Sequence, residues 1–483
     1  NAQPTVRPNI LLIHVDQHRH DCIGANGHPC AVTPHLDRLA AEGVNFREAC
    51  CPAPICTPAR TSLLTGVYAT QHGCLANRGT EGYRPMDPQL PTFSQVLKAG
   101  GYWLGYVGKW EVGTPDGPEH FGFDVYVPDK DYLAWRRAEG LPPLPAVNGW
   151  FGEVDPGVRP EQTALGWGAD HVIRLLHQAA EQEVPFFLRW DPREPHLPNI
   201  LPEPYASLVA PASIPPWPSF PDYLDGKPFI QRQQVCTWGL EGWTWAQWQP
   251  IVARYLGEVA LIDHQVGRIL QALDDLGLAE NTLVVYSSDH GDLCGAHGMI
   301  DKHYVMYEDV VRVPLLLRWP DRLPAGRVVN TQVTAALDLA VTFCSAAGLP
   351  VPETFVGRDL LTLGDSDAGA EPEAEPESRP VFATYHGNQF GLYSQRMVRT
   401  PRWKYVWNAT AEDELYDLAA DEGEIINLAA GAAHAAVLAE LRHTLATWMA
   451  ATKDPLLNQW TKRQLLDGRK HIDVSYAPGV HET

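Results

Sequence analysis

Residues Asn9 to Val15 read NILLIHV and run directly into Asp16-Gln17. A short, continuous apolar run rich in branched side chains is the mark of a strand buried on both faces, because a strand with one wet face alternates. Asp16 therefore stands at the carboxyl end of a strand. Far along the chain the pattern recurs: Thr282 to Ser288 reads TLVVYSS and stops at Asp289-His290-Gly291. Ligands of open α/β sheets gather beyond the carboxyl ends of the strands, so these two chain-distant acidic turns are expected to converge on one site.

Between and beyond these runs, helical and extended patterns alternate. Thr33-Pro34 opens a periodic segment that runs through Glu42 to Gly43, with the Thr suited to cap and the Pro suited to the first turn. Val44 to Ala49 reads as a strand, and a helix beginning close to Cys56 runs through Ala59 to Leu64 and ends at Gly66. Further helices are expected at Thr92 to Lys98, Ala169 to Gln182 and Pro250 to Leu276, with strands at Trp103 to Val107 and Pro185 to Trp190. This alternation specifies an α/β class with helices on both faces of the sheet. Residues 363–380 (LGDSDAGAEPEAEPESRP) are too rich in Pro, Ala, Gly and acid to build a core and read as a linker. The expected division is a catalytic domain over 1–362, with a Trp- and Pro-rich insertion near 200–250, then that linker, then a small α+β domain over 381–483. In the last, Val381 to Tyr385, Arg396 to Thr400 and Lys404 to Val406 read as strands of a short antiparallel sheet, Ala435 to Ala451 as an amphipathic helix, and the tail from Asp454 shows no clear period.

The chain carries 58 acidic residues against 37 Lys and Arg, a formal charge of −21. That balance disfavours nucleic acid and anionic lipid as partners, so an anionic substrate would have to be captured by local cations. No apolar run approaches the roughly 20 residues of a membrane span. Nine cysteines, at positions 22, 30, 50, 51, 56, 74, 236, 294 and 344, form no CxxC pair and no regular framework. They read as free thiols rather than a zinc site or disulfide scaffold, which points to the cytoplasm, with the periplasm or secretion as the alternative.

Cys56 has no His and Asn pattern of a thiol hydrolase around it, whereas Pro58 and Arg60 follow at specific offsets. Cys56-Thr57-Pro58-Ala59-Arg60, continued by Thr61-Ser62-Leu63-Leu64-Thr65-Gly66, resembles the signature of the formylglycine-dependent sulfatases of the alkaline phosphatase superfamily, which are similar to phosphonate monoester hydrolases. The resemblance implies an alkaline phosphatase-like fold with a large mixed central sheet. It also implies that a maturation enzyme oxidises Cys56 to formylglycine, whose hydrate offers two hydroxyls on one carbon, one to attack the ester and one to help expel sulfate. A divalent cation would promote deprotonation of the attacking hydroxyl. By the same resemblance Asp16, Gln17, Asp289 and His290 are the metal ligands, completed by the residue at position 56, with Ca2+ as the expected ion and Mn2+ or Mg2+ as alternatives.

Four basic residues fall in segments resembling the family's sulfate-binding positions: Arg60, Lys109 in Gly108-Lys109-Trp110, His196 in Glu194-Pro195-His196-Leu197-Pro198, and Lys302 after GDLCGAHG at 291–298. The lysines would contact sulfate, and His196 would donate to sulfate or protonate the leaving oxygen. Asn77 resembles a family asparagine that bonds the nucleophile or ester, and it is equally at home as a turn residue. His72 reads as a brace for its loop. Glu414 to Leu418 (ELYDL) looks like the family's C-terminal motif.

Three positions depart from the usual pattern. Gln17 stands where most sulfatases have a second Asp, His290 where many have Asn, and Glu111 where many have a His that contacts the formylglycine hydroxyl. Glu111 could accept a proton, pair with Lys109 or Arg60, or point elsewhere. Trp217, Trp238, Trp243, Trp245 and Trp248 crowd one region, as a sugar or aryl subsite, as internal packing, or as contact in a homo-oligomer. The resulting expectation is a hydrolase of a small aryl, choline or carbohydrate sulfate monoester. The alternative is a phosphonate monoester or phosphodiester hydrolase with the same formylglycine; Lys109 weighs against it, since those relatives tend to place a small hydroxyl residue there.

Overall fold

The computed structural model describes residues 7–147, 151–364, 378–387, 391–468 and 470. Its main sheet has eight strands: β1 (Asn9–Val15), β2 (Val44–Phe46), β3 (Trp103–Gly108), β4 (Val125–Pro128), β5 (Phe186–Asp191), β6 (Thr282–Ser288), β7 (Leu315–Arg318) and β8 (Arg327–Val329). They lie in the order β8-β2-β7-β6-β1-β5-β3-β4. Only β7 runs antiparallel to its two neighbours, so the sheet is mixed. The NILLIHV run is the central strand, and its side chains divide by parity: Ile10 and Leu12 enter one core, Leu11, Ile13 and Val15 the other. Both cores are capped by helices. On the first side lie α2 (Cys56–Thr65), α3 (Phe93–Ala99) and α6 (Ala335–Ala346); on the other lie α1 (Pro34–Glu42), α4 (Ala164–Ala180) and α5 (Trp245–Asp275). That two-sided burial is why β1 and β6 read as unbroken apolar runs.

Several local expectations are corrected. The run from Val44 to Ala49 is two strands, because the chain turns at Arg47-Glu48 and Ala49–Cys50 pairs with Val333–Thr334 in a separate ribbon. Glu48 is drawn out of the sheet by Arg312 at 3.0 Å and Arg399 at 2.6 Å. The α1 helix is capped by Asp263 of α5, which accepts from the backbone of His35 and Leu36, while Thr33 instead accepts from Gly24. The α4 helix begins five residues early, at Ala164, capped by Thr163. Pro250 lies inside α5 rather than at its start.

The carboxyl-terminal part forms an antiparallel meander of β9 (Val381–Gly387), β10 (Tyr393–Arg399), β11 (Trp403–Asn408) and β12 (Glu414–Asp417). Helix α7 (Ala435–Ala451) covers it, with Leu438, Leu441, Leu445 and Met449 against Val398, Tyr405, Trp407 and Leu415. A helix that the sequence pattern did not reveal, α8 (Gln459–Asp467), follows an Asn458 cap. The meander is tied to the main sheet's side of the molecule by Glu308, which takes Arg399 at 2.8 Å and Lys404 at 2.8 Å. Most of the linker expected at 363–380, residues 365–377, lies outside the described residues.

One glycine is fixed by the join between β3 and β5. Gly108 has φ 112°, and a Cβ there would lie 2.1 Å from the Asp191 carbonyl oxygen. Gly108→Ala is expected to cost roughly 2 kcal/mol or more, from left-handed strain plus a backbone clash, read as a lowered thermal unfolding midpoint.

Candidate active site

Parallel pairing of β1 with β6, in the register Val15 to Ser288, sets Asp16 level with Asp289 at the carboxyl edge of the sheet. Pairing of β1 with β5 brings Asp191 alongside them. All three carboxylates are buried. Cys56 is the first residue of α2, whose N-terminus points into this cluster: its Sγ lies 3.3 Å from His290 Nε2 and 3.7 Å from Asp16 Oδ1. One ligand atom each from Asp16, Cys56, Asp289 and His290 can be enclosed within 4.8 Å of one another, a group that could hold a metal ion. His290 Nδ1 donates to the Gly291 carbonyl at 2.9 Å, which leaves the Nε2 lone pair facing the cluster.

Gln17 reaches the same group through a left-handed backbone, φ 69°. Its N–H donates to Asp289 Oδ1 at 3.1 Å, its Nε2 donates to Asp292 at 2.6 Å, and its Oε1 accepts from Lys302 Nζ at 2.8 Å. Lys302 also meets His196 Nε2 at 2.8 Å and Asp301 at 3.1 Å. Lys109 donates to Asp16 Oδ2 at 2.5 Å and pairs with Glu111 at 2.6 Å. Glu111 thus takes one of the three courses open to it in the sequence, and its φ of 36° turns it there.

Arg60 is placed differently from the expected sulfate contact. Its guanidinium is solvent-free, with Nη2 3.0 Å from Asp289 and 3.3 Å from Asp16, and Nη1 donating to Asp191 at 2.6 Å. Three carboxylates claim its charge. Asn77, too, faces the helix rather than the nucleophile: its Oδ1 accepts from the Thr57 N–H at 2.9 Å, satisfying one free donor at the start of α2.

The electrostatics follow from this packing. Burial opposes ionisation of Asp16, but Lys109, His196, Arg60 and His290 overcome it and hold the carboxyl well below the usual range. Burial likewise opposes charge on Lys109 and Lys302, and the carboxylates around each keep it protonated above the ordinary lysine value. Burial, helped by Lys302, depresses His196 to about 4, so it is neutral at pH 7. Burial and Asp16 push the Cys56 thiol up, which makes the unmodified thiol a poor nucleophile.

A family model described as Sulfatase matches residues 8–349. The chain belongs to the sulfatase family. A second model, described as N-sulphoglucosamine sulphohydrolase, C-terminal, matches residues 295–451. The uncharacterized sulfatase YidJ of Escherichia coli strain K12 is 30% identical over 477 residues, covering 95% of this chain and 90% of that protein. An arylsulfatase of Clostridium perfringens is 29% identical over 455 residues, covering 88% and 90%. Among solved structures, the phosphonate monoester hydrolase of Agrobacterium radiobacter superposes with a TM-score of 0.79 at 28% identity, covering 95% of this chain and 99% of that one. With these relatives, the chain is a sulfuric ester hydrolase.

Three acids of this sulfatase site escaped sequence reasoning. Asp191 receives Arg60 and Arg189, which, with His14, overcome burial and hold it well below the usual carboxylate range. Asp292 and Asp301 orient Gln17 and Lys302. The signal for Asp191 was its place at the end of the buried run before Pro192, a third acid at a strand's end. The tryptophans are largely packing. Trp248 is fully buried, Trp217 lies over Arg19 with the guanidinium carbon 3.9 Å from its ring, and Trp243 and Trp245 pack against Trp248 and Trp217.

His72 braces α2, with its Nε2 3.1 Å from Ser62 Oγ and its Nδ1 accepting from the Cys74 N–H. Burial lowers it from 6.5 to about 3. The folded protein therefore lacks a proton that the unfolded chain binds below about 6.5, so stability falls as pH drops from 6.5 towards 3. In unfolding titrations across that window, His72→Gln is expected to flatten part of the slope.

Proposed function

We propose that the chain hydrolyses a sulfate monoester with a nucleophile formed from Cys56 by oxidation to formylglycine, at a divalent-metal site made by Asp16, Gln17, Asp289 and His290. The observation that carries this reading is the seating of Cys56 at the first residue of α2, within 3.3 Å of His290 Nε2 and 3.7 Å of Asp16. The donor set suits a divalent cation. Asp289 Oδ2 is buried with the Arg60 guanidinium 3.0 Å away, the His290 Nε2 lone pair faces the Cys56 Sγ at 3.3 Å, and Gln17 Oε1 retains a second lone pair beside the one that Lys302 occupies. The three oxygen donors favour Ca2+, the one nitrogen suits Mn2+, and Mg2+ is a further alternative. When bound, the ion supplies positive charge that eases deprotonation of the attacking hydroxyl.

The remaining work falls to the chain's own side chains. Arg60 holds Asp16, Asp191 and Asp289 in place and so fixes the ligand geometry. Lys109 and Lys302 supply the charge for the ester's sulfate oxygens. His196 donates from Nδ1 to the Leu197 carbonyl at 2.6 Å, so its Nε2 carries no proton and accepts from Lys302. We therefore assign the proton for the leaving alcohol to Lys302, with His196 keeping the lysine aimed. One hydroxyl of the hydrate at position 56 would lose its proton and bond to sulfur as the S–O bond to the alcohol breaks and the alcohol oxygen takes the Lys302 proton. Loss of the second hydroxyl's proton would then expel sulfate and leave the aldehyde, which water rehydrates, so that one of the two released protons recharges Lys302 and the other leaves with sulfate. Formylglycine implies a maturation enzyme as a partner. A phosphonate monoester reading is supported by the similarity to the Agrobacterium radiobacter enzyme; the buried Lys109 against Asp16 supports sulfate.

Mass spectrometry of the peptide spanning Cys56, from protein made in its own cell, is expected to find formylglycine; cysteine alone would overturn the nucleophile. Cys56→Ala should lower kcat/KM at least about a thousandfold. Chelation should abolish turnover, with Ca2+ or Mn2+ restoring it. In parallel assays kcat/KM for nitrophenyl sulfate should exceed that for a phenyl phosphonate ester, and the reverse order would move the assignment to phosphonates.

A further inference from the structure

A cavity of about 420 Å3 opens beside Lys109 and His196 and runs between the carboxyl ends of β3 and β5 and the helices α4 and α5. That volume suits a small organic group. Its wall is mostly apolar, and its charged side chains are largely matched: Arg136 pairs with Asp155 at 2.7 Å, Arg193 with Asp129, and Lys109 with Asp16 and Glu111. Lys130 is exposed at the rim. Two carboxyl groups stand apart from these pairs. Glu258, 2% exposed, accepts one hydrogen bond on Oε2 from Asn199 at 2.5 Å and forms no ion pair among the described residues. Glu194, half-buried on the strand-end loop before His196, forms none either. A buried carboxyl group is costly to charge without a cation, and an ammonium in the cavity would complement both. Tyr132 and Trp167 line the same wall with ring centroids 6.0 Å apart and planes at 56°, and aromatic surface of this kind attracts a cation.

We propose that this cavity holds the leaving group of the sulfate ester and selects a positively charged one, an amino alcohol whose ammonium lies among Glu258, Glu194, Tyr132 and Trp167. The inference rests on the sulfatase reading and gives it a substrate class. A sugar would need many free directional partners, and the charged side chains of this wall are largely taken up by one another; a neutral aryl group would leave both carboxyl groups uncomplemented. A zwitterionic ester also escapes repulsion by the chain's net charge of −21, which a polysulfated chain would not.

The test compares trimethylammonioethyl sulfate with its uncharged carbon isostere, dimethylbutyl sulfate, on the full-length matured enzyme. The ratio of their kcat/KM values is expected to favour the cation by at least about tenfold, the worth of a desolvated cation–aromatic contact. Glu258→Gln and Glu194→Gln should each reduce that ratio about fivefold. Because a ratio does not depend on the folded fraction of a variant, misfolding cannot mimic the result. Hydrolysis of the isostere with no preference for the cation, or variants that lower both substrates equally, would overturn the subsite while leaving the sulfatase reading intact. Hydrolysis of no sulfate ester at all would remove both.

Discussion

Three carboxylates share one guanidinium at the edge of the main sheet, and the site is built around that economy of charge. Asp191, Asp16 and Asp289 end the adjacent strands β5, β1 and β6, all out of solvent, and Arg60 from α2 reaches each of them. Buried like charges at this spacing repel, and each would hold a proton without a cation beside it. Arg60 therefore decides where α2 begins relative to the sheet. Because Cys56 lies one turn earlier on the same helix, its position follows from an ion-pair constraint rather than from packing around the sulfur.

The second lysine is placed by unusual backbone. Between the end of β6 and Lys302, the non-glycine residues Cys294, His297 and Asp301 all adopt positive φ, and Tyr304 follows. Conformations of this kind cost free energy and persist only where surroundings impose them. Here they fold the segment back so that Lys302 meets Gln17 and His196, while Asp292 holds the other end of the Gln17 amide. Gln17 and Glu111 are themselves left-handed. Strain is thus concentrated in the residues that aim the cations, whereas the strands beneath them are regular.

What could be read from the sequence divides along the same line. The runs NILLIHV and TLVVYSS were legible because burial on both faces leaves no room for polar residues, and the acids that end them stand out against that background. The start of α2 at Cys56 was legible from its closing glycine. The break at Arg47-Glu48 was not, because it answers to Arg312 and Arg399, distant in the chain. The cap on α1 comes from Asp263 of another helix, and no local pattern announces it. Helix α8 shows only Leu465 wholly buried, too faint a stripe to register as a period. The role of Arg60 was hidden by Asp191, whose meaning depends on sheet order.

That sheet order also bears on how the protein is made. Among the strands of this sheet β1 comes earliest in the sequence yet is the middle of the finished sheet, and its two neighbours arrive as Phe186–Asp191 and Thr282–Ser288. On the ribosome this apolar segment waits with both hydrogen-bonding edges unsatisfied until β5 has emerged, and with one still open until Ser288. Pairing so distant in sequence is slow, and open edges invite association with other nascent chains. Cellular production of this enzyme should depend on holdase chaperones from an early stage, and a chain released before β6 would have neither a closed core nor a site.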